Sequence, residues 1–205
     1  MNHTYRNWKS LATKDIDATV HYIATNQKAS NVTNSLHIIE KFILPHSGPI
    51  KVLDFGCGVG RNAIPLASKY PEWEIVCYDS IEMTDRMEEY CTIRHGVHIS
   101  AYNNIRIEND WSKLKKEKFD YIYAILVLQH IYEKDLSQYL SDIKNMTPKF
   151  IVHGRRFNDE IINGQYKNTW EILEKNNLFP DDTTGYSVSG NKSDHHSFVY
   201  SIKGQ

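Results

Sequence analysis

Residues 52–60 read Val-Leu-Asp-Phe-Gly-Cys-Gly-Val-Gly, and this stretch decides the fold. The apolar run at 50–54 predicts a short buried strand. Residues 61–70 predict a helix, in which Pro65 is tolerated because it falls early. The glycines between them predict a tight turn that brings the backbone close to a ligand. Because the helix offers free N–H groups and a positive dipole end, we expect a binding site at the carboxyl end of this strand.

Strands and helices alternate along the rest of the chain. Further strands are predicted at 74–78, 104–107, 119–126, 149–153, 183–189 and 196–202. Helices are predicted at 15–25, 32–44, 83–94 and 170–177, and around the apolar series Leu136, Leu140 and Ile143. This alternation is typical of a mostly parallel sheet with helices on both faces, and the closing strand pair indicates an antiparallel C-terminal edge strand. We therefore predict one α/β domain over residues 1–205 with a seven-stranded sheet, in which residues 1–48 form a helical cap or lid.

Composition restricts the class of protein. With 205 residues, 40% of them hydrophobic and 24% charged, the chain fits one soluble globular domain. The formal net charge of −1 gives no electrostatic case for binding a phosphate backbone. The longest apolar run, at 122–128, is too short to span a membrane, and the polar N-terminus lacks the apolar core of a signal peptide. We expect neither a nucleic-acid partner nor a membrane partner, and the sequence indicates no particular oligomeric state.

The cysteines and histidines do not predict a metal site or a disulfide framework. Cys57, Cys77 and Cys91 are odd in number and form no Cys-x-x-Cys pair, which favours a reducing cytoplasm as the location. There are ten histidines but no His-Glu-x-x-His pattern. His195 and His196 are adjacent in a predicted strand, so their side chains point to opposite faces. We expect no bound metal.

The spacing of the glycines distinguishes a dinucleotide from other ligands that bind to such a turn. A dinucleotide fingerprint reads Gly-x-Gly-x-x-Gly, whereas here the third glycine comes one residue early and Arg61 takes the place reserved for Gly or Ala. Asp54 would repel a pyrophosphate but suits a ligand that carries an ammonium group. A nicotinamide-dependent oxidoreductase is therefore disfavoured.

Three more elements extend the pattern. Asp79 ends the second predicted strand, Asn109-Asp110-Trp111 follows the third, and residues 119–131 combine a fourth strand with the loop after it. Together with the Asp-x-Gly-x-Gly-x-Gly pattern of residues 54–60, they resemble the class I S-adenosylmethionine-dependent methyltransferases over residues 50–153. The resemblance implies a Rossmann-like fold, with S-adenosylmethionine as the cofactor. Two departures are Met-Thr-Pro-Lys at 146–149, where the family often has Gly-Gly, and residues 80–84, which do not align with the usual adenine-packing positions.

The resemblance also implies roles for single residues. Asp79 would accept hydrogen bonds from both ribose hydroxyls, Asp110 would contact the adenine amino group, and the Trp111 backbone would lie beside the ring. Ser80, Ile81 and Met83 are weaker candidates, since a helix start and core packing explain them equally well. The cofactor-binding residues predicted in this way are Asp54, Gly56, Cys57, Gly58, Gly60, Asp79, Ser80, Asp110 and Trp111.

Acceptor-side candidates follow the fourth and fifth strands. His130 is the candidate general base, and the alternative is a histidine that packs or caps the next helix. His153, Arg155 and Arg156 would bind an anionic acceptor, unless they belong to a solvated surface turn. An aromatic group near the N-terminus would form a lid over the acceptor, although packing is the commoner explanation of such residues. This group consists of Tyr5, Trp8 and Tyr22.

The acceptor class follows mainly from what is absent from the sequence. Asn/Asp-Pro-Pro-Tyr, typical of many methyltransferases that act on nucleobase or glutamine amino groups, does not occur. Together with the near-neutral charge, this favours methyl transfer to an oxygen or nitrogen atom of a small molecule. The alternatives are a methyltransferase that acts on a macromolecule such as tRNA or protein, and a non-catalytic module that binds S-adenosylmethionine.

Overall fold

The computed structural model describes residues 8–23, 27–43, 48–181, 186–187 and 195–202. One mixed sheet lies at its centre, and within these ranges the seven predicted strands are confirmed, although one of them has only two residues. The chain order is β1 (Lys51–Phe55), β2 (Glu74–Tyr78), β3 (Ile105–Ile107), β4 (Tyr121–Ile125), β5 (Lys149–Arg155), β6 (Phe157–Ile162), β7 (Gln165–Asn168), β8 (Tyr186–Ser187) and β9 (His195–Ser201). The central sheet has the order β3-β2-β1-β4-β5-β9-β8, while β6 and β7 form a separate pair.

The sheet topology creates a crevice at one edge. β1 pairs in parallel with both β2 and β4, so the strand order reverses between β1 and β4. In an open α/β sheet, ligands bind at such a reversal, beyond the carboxyl ends of the strands. On the far side, β9 runs antiparallel to β5, and β8 runs antiparallel to β9. The predicted antiparallel C-terminal edge is therefore confirmed.

Nine α-helices belong to the described ranges. They are α1 (Trp8–Ala12), α2 (Ile16–Ile23), α3 (Leu36–Ile43), α4 (Ala63–Lys69), α5 (Ile81–Thr84), α6 (Met87–His95), α7 (Trp111–Leu114), α8 (Glu133–Met146) and α9 (Thr169–Lys175). The single helix predicted at 83–94 is wrong, because α5 and α6 are separate. At their junction, Arg86 donates hydrogen bonds to the carbonyls of Ala12 and Lys14, which ties the N-terminal helices to this corner.

Two apolar cores lie on opposite faces of the sheet. One contains buried residues of α3, α4 and α6 such as Ile39, Ile64 and Tyr90. The other contains residues of α8 and α9, among them Leu140 and Ile172. α8 shows why the sequence forms such helices, since its apolar residues recur at helical spacing and its first turn is acidic while its last turn carries a lysine. Helices on both faces are thus confirmed.

The β6–β7 hairpin was not predicted from the sequence. Its turn consists of Asn163 and Gly164, with φ angles of 52° and 78°. Both angles are positive, as a type I′ turn requires, and Asn-Gly is the dipeptide that favours this turn. The Asn-Gly pair was therefore the available signal. The hairpin connects β5 to α9, directly beyond the edge of the sheet where a ligand is expected.

Candidate active site

The glycine turn connects β1 to α4 and packs against the turn that follows β4. Gly56 and Gly58 have φ angles of 77° and 57°, in the left-handed region that favours glycine. A Cβ atom on Gly56 would come within 2.4 Å of Val127 Cγ2. Side chains at Gly56 are therefore excluded both by the backbone conformation and by the turn that follows β4.

Asp79 connects the end of β2 to the glycine turn. Its Oδ2 accepts a hydrogen bond from the Gly58 N–H (2.8 Å), and its Oδ1 accepts one from the Ser80 N–H (2.7 Å). Burial raises the pKa of Asp79, and these two backbone donors oppose the rise. Each carboxylate oxygen retains acceptor capacity, so Asp79 has the chemistry to bind a vicinal diol.

Asn109 holds the end of β2 in place through side-chain hydrogen bonds. Its amide Nδ2 donates to the Asp79 carbonyl and to Thr84 Oγ1, both at 2.8 Å. One side chain thereby joins the end of β3 to the end of β2 and to α5. Sequence analysis included Asn109 only as a neighbour of Asp110, and nothing in its spacing indicated this bridge.

Asp110 and Trp111 have partners within the protein. Asp110 caps α7 and accepts from the Ser112 N–H (2.9 Å) and hydroxyl (2.7 Å), bonds that lower the pKa of its exposed carboxyl. Trp111 Nε1 donates to Asp142 Oδ2 (2.8 Å), and its ring packs against the rings of Tyr78 and Phe55. The cofactor contacts predicted for Asp110 and Trp111 stay predictions.

Asp54, near the end of β1 and next to the glycine turn, is a buried carboxyl group. It is 2% exposed, and its Oδ2 makes no hydrogen bond within the described chain. Burial raises the pKa of Asp54 to about 7; Asp79 adds to the rise, whereas Tyr123 and Arg61 oppose it. Ser80 Oγ, nearby in sequence, is also buried without a hydrogen-bond partner in the described ranges. Such unsatisfied polar atoms are costly unless a polar ligand supplies the missing partner, as an ammonium-bearing cofactor would.

Two buried thiols complete the floor of the turn. Cys57, in the turn itself, lies beside Cys77 of β2, and both are free cysteines. Burial raises the pKa of the Cys57 thiol well above its usual value, and Cys77 adds to this rise. A neutral thiol fits a cofactor-lining role that depends on shape and backbone rather than on charge.

A second group of residues follows β4. His130 ends the 3₁₀ turn Leu128–His130, where the buried amide of Gln129 lies 3.4 Å from His130 Nε2. Gln129 Oε1 accepts from the Arg155 N–H, also at 3.4 Å. A Cβ atom on Gly154 would come within 2.5 Å of the same oxygen. Gln129 therefore links the loops after β4 and β5, a role that the sequence did not indicate.

The three polar residues predicted at the end of β5 differ in environment. His153 is buried, and its Nδ1 lies 2.6 Å from Ser197 Oγ across the β5–β9 pair. Arg155 and Arg156 are exposed, and the Arg156 carbonyl accepts from the Thr169 N–H (2.7 Å). The arginines are thus accessible from the sheet edge, whereas His153 already has a partner inside the fold. Their acceptor roles stay predictions.

Two of the three aromatic residues predicted to form a lid lie in described helices. Trp8 begins α1 and Tyr22 belongs to α2, while Tyr5 lies outside the described residues. α1 contacts both α2 and α5, and α5 starts two residues after Asp79. The N-terminal helices therefore lie near the cofactor-side corner, and their function as a lid stays a prediction.

The β6–β7 hairpin stands beside His130. β6 contacts the 3₁₀ turn that ends in His130. Glu160 Oε2 accepts from the Glu133 N–H at the start of α8 (3.0 Å), and Lys167 forms an ion pair with the Glu133 carboxylate. These contacts hold the hairpin at the carboxyl edge of the sheet, next to the candidate base.

The described ranges contain neither a metal-binding cluster nor a membrane-spanning helix. No group of three or more His, Cys, Asp or Glu residues in those ranges is arranged to hold a metal ion. Among the helices described, none is long and apolar enough to cross a membrane.

Comparison with known sequences supports a methyltransferase. The model of the family described as "Methyltransferase domain" matches residues 53–148. A curated relative, the ribosomal RNA small subunit methyltransferase G of Nitrosospira multiformis, is 33% identical over 73 residues, which cover 30% of this chain and 34% of that protein. The chain thus matches about a third of that relative's length.

Solved structures share the fold. A TehB-like S-adenosylmethionine-dependent methyltransferase from Corynebacterium glutamicum is 15% identical, with 84% of this chain and 89% of that one covered and a TM-score of 0.59. The mitomycin 7-O-methyltransferase MmcR is 12% identical, with 96% and 61% covered and a TM-score of 0.62. Magnesium protoporphyrin IX methyltransferase from Synechocystis PCC 6803, with its bound demethylated cofactor, is 18% identical, with 79% and 78% covered and a TM-score of 0.53.

The sequence pattern, the strand order and these matches agree with one another. The glycine turn, the acidic end of β2 and the reversal of strand order occupy the places that the resemblance required. The family match begins in β1 and ends just before β5, and so it contains all of these features except the start of the first strand. Residues 53–148 thus match the methyltransferase domain family, and the fold is shared with S-adenosylmethionine-dependent methyltransferases of known structure.

Proposed function

We propose that this chain transfers the methyl group of S-adenosylmethionine to an oxygen or nitrogen atom of a small molecule. The observation that carries the proposal is the β6–β7 hairpin, which is held beside His130 by the Glu160 and Lys167 contacts to Glu133. A hairpin held at this edge would narrow the space in front of β4 and β5, as a site for a small acceptor needs.

On the cofactor side, each residue has a chemical task. Asp79 would hold the ribose diol, and Asp54 would hold the methionine ammonium group. Gly56, Gly58 and Gly60 allow the backbone to lie against the ligand, with Cys57 between them. Asp110, the Trp111 backbone and Ser80 would surround the adenine. The bound cofactor supplies a methyl group on a positively charged sulfur.

On the acceptor side, alignment and proton removal are the two tasks. In-line displacement depends strongly on how the acceptor atom is aligned with the methyl group. His130 would take the proton from a hydroxyl or a protonated amine. Arg155 and Arg156 are accessible cations that would bind a carboxylate or phosphate, with His153 beside them. Tyr5, Trp8 and Tyr22 would cover the acceptor.

A labelled-methyl assay tests this proposal. The purified chain is incubated with radiolabelled S-adenosylmethionine and with separate metabolite, RNA and protein fractions of a cell extract. We expect label only in the metabolite fraction, with cofactor-dependent mass addition of one methyl group. An Asp79→Ala variant provides the background. Label confined to RNA or protein would contradict the small-molecule proposal.

The partial match to a ribosomal RNA methyltransferase supports a second candidate, transfer to RNA. The match covers 34% of that protein and 30% of this chain, so most of each chain lies outside it. Ribosomal RNA isolated without modification is therefore included in the same assay. Binding of S-adenosylmethionine with no label in any fraction would instead favour the non-catalytic module.

A further inference from the structure

Tyr123 places a hydroxyl group beside Asp54, underneath the glycine turn. The two residues are partners in the β1–β4 register, and partner residues of parallel strands project to the same face of a sheet. Asp54 is 2% exposed and Tyr123 is fully buried. Neither Asp54 Oδ2 nor the Tyr123 hydroxyl has a hydrogen bond of normal geometry within the described chain, yet the hydroxyl is close enough to Asp54 to favour the ionised carboxylate. Two buried polar groups with unused bonding capacity therefore lie side by side.

The other groups that face Asp54 cannot replace this hydroxyl. Arg61, after the turn, is mostly buried and donates to the Thr33 carbonyl (3.0 Å). Asp79 repels a charge on Asp54. Cys57 and Cys77 contribute thiols, which are weak donors. Tyr123 is the strongest neutral donor in this set, and its proximity already lowers the pKa of Asp54 against the effect of burial.

An apolar ring would satisfy the packing at this position. Tyr123 lies in the core with Ile125 of the same strand, and phenylalanine has the same ring without the hydroxyl. In the protein without ligand, the hydroxyl has no hydrogen bond of normal geometry, so it adds little to the stability of the fold while Asp54 is protonated. The hydroxyl therefore needs an explanation outside the stability of the free fold.

We propose that Tyr123 is a positioning residue for Asp54, donating a hydrogen bond to the ionised carboxylate while that carboxylate holds the ammonium group of S-adenosylmethionine. The inference rests on the proposed role of Asp54. A hydrogen bond to the charged form of a carboxyl group favours that form. Asp54 must be charged to attract a cation, and burial opposes the charge. The hydrogen bond from the Tyr123 hydroxyl would offset part of the unfavourable effect of burial on the charged Asp54 carboxylate.

The test compares Tyr123→Phe with wild type and with Tyr121→Phe, a control on the same strand and the same face of the sheet. The affinity for S-adenosylhomocysteine is measured by calorimetry between pH 5.5 and 8.5. Wild-type affinity should rise with pH through about 7 as Asp54 loses its proton. Tyr123→Phe should bind about tenfold more weakly at pH 7, with its midpoint moved to higher pH. The ligand's own titration is common to all three proteins.

Thermal melting separates positioning from folding. At pH 5.5, where folded Asp54 is mostly protonated, Tyr123→Phe should melt at or above the wild-type temperature, because it leaves no cavity and no charged carboxylate loses a hydrogen bond. Weaker binding together with equal or higher stability would support the inference, and a wild-type affinity and midpoint would overturn it. In an Asp54→Asn background, Tyr123→Phe should have no further effect on affinity, and a full effect there would also overturn it. If wild type fails to bind S-adenosylhomocysteine, the role of Asp54 in cofactor binding fails as well.

Discussion

The two halves of the ligand-binding edge are built differently. At the ends of β1 to β3, Asp79 receives two backbone N–H groups at 2.8 and 2.7 Å, and Asn109 braces its peptide at 2.8 Å. At the ends of β4 and β5, the contacts of Gln129 are 3.4 Å long, and Arg155 and Arg156 are exposed. In the first half short bonds hold the side chains at the candidate site, whereas in the second half the short bonds, such as His153 to Ser197 at 2.6 Å, lie inside the fold and the arginine side chains are exposed.

This difference fits the ligands that each half is proposed to hold. A cofactor common to a whole family is bound well by a site that is already organised before binding. An acceptor differs from enzyme to enzyme, and loops with free side chains can vary without disturbing the sheet. Mutations in the cofactor half should therefore act on binding of a known ligand, and mutations in the acceptor half should act on turnover.

The largest effect is expected from Gly58→Val. Gly58 has a φ of 57° and donates its N–H to Asp79, so a branched side chain would both strain the backbone and occupy the space of the ligand. Calorimetry should detect no binding of S-adenosylmethionine. Gly96→Val imposes similar strain at the end of α6, where φ is 72° and nothing lies within 4 Å of the added Cβ. Normal binding by Gly58→Val, with Gly96→Val equally normal, would show that the turn does not line the site.

Asp54→Asn should increase the free energy of unfolding at neutral pH and above, because the buried charge of Asp54 destabilises the fold without ligand. The folded-state pKa of Asp54 is raised to about 7 from an unfolded value near 3.8, so the folded protein binds the extra proton between these values. Stability therefore falls as the pH rises from about 4 to 7. Asn cannot ionise, and above pH 7 the variant should be more stable by on the order of a few kcal/mol.

Denaturant unfolding of both proteins at pH 4.5 and pH 8 measures this effect, and other titrating groups cancel in the difference. The gain should be small at the lower pH and full at the higher one. Affinity for S-adenosylhomocysteine should fall in parallel. An equal difference in stability at the two pH values would mean that folding does not raise the pKa of Asp54, because the folded and unfolded chains would then carry the same charge at this residue across the whole range.

His130→Ala tests the acceptor half. If His130 removes a proton from the acceptor, kcat should fall by about a hundredfold. Affinity for the cofactor should not change, because His130 lies beyond β4 and not at the glycine turn. With any substrate in hand, an unchanged kcat would assign His130 to the packing of the turn with Gln129.

Asp79→Ala should weaken cofactor binding by about 1.5–3 kcal/mol, the scale of hydrogen bonds to a charged group. The melting temperature should change little, because removing the carboxylate also removes a buried charge that burial disfavours. Asp85→Ala removes the same charge from an exposed position at the end of α5 and should leave binding unchanged. Equal dissociation constants for Asp79→Ala and wild type would refute the ribose role.

Sequence and structure agree where local chemistry determines the outcome. The strand–turn–helix at residues 50–70 was predictable because an apolar strand, glycines that allow positive φ angles and a helix follow one another directly in the chain. The acidic end of β2 was predictable because the family resemblance implies an acidic residue after the second strand, and Asp79 follows a short apolar strand. These features depend on neighbours in the chain.

The missed features depend on residues distant in sequence. Asn109 bonds to Asp79, 30 positions earlier, and Tyr123 lies beside Asp54 only because β4 returns to pair with β1. An apolar strand such as 119–126 gives no signal that one hydroxyl in it will face a carboxyl group. Gln129 likewise meets Arg155 only through the β4–β5 pairing.

The smallest expected effect concerns the two exposed arginines. Arg155 and Arg156 leave the carboxyl end of β5, next to the loop that carries His130. The glycine turn is proposed to hold the cofactor, so an anionic acceptor would enter from this side and form two parallel hydrogen bonds with a guanidinium. Replacing both residues by Gln should raise the acceptor KM by about tenfold, since losing one charged hydrogen bond costs about 1.5–3 kcal/mol.

The control for this pair is Lys115→Gln with Lys116→Gln. These two exposed cations precede β4, at the opposite edge of the sheet, and their loss changes the net charge equally. A KM raised only by the arginine pair would show a local contact, because a long-range effect of charge would appear in both pairs and fade with salt. Cofactor affinity should stay constant in both. If neither pair changes the KM, the acceptor is uncharged or approaches from another side. The N-terminal helices that carry Trp8 and Tyr22 would then be the next surface to mutate, because α1 contacts α5 beside the cofactor-side corner.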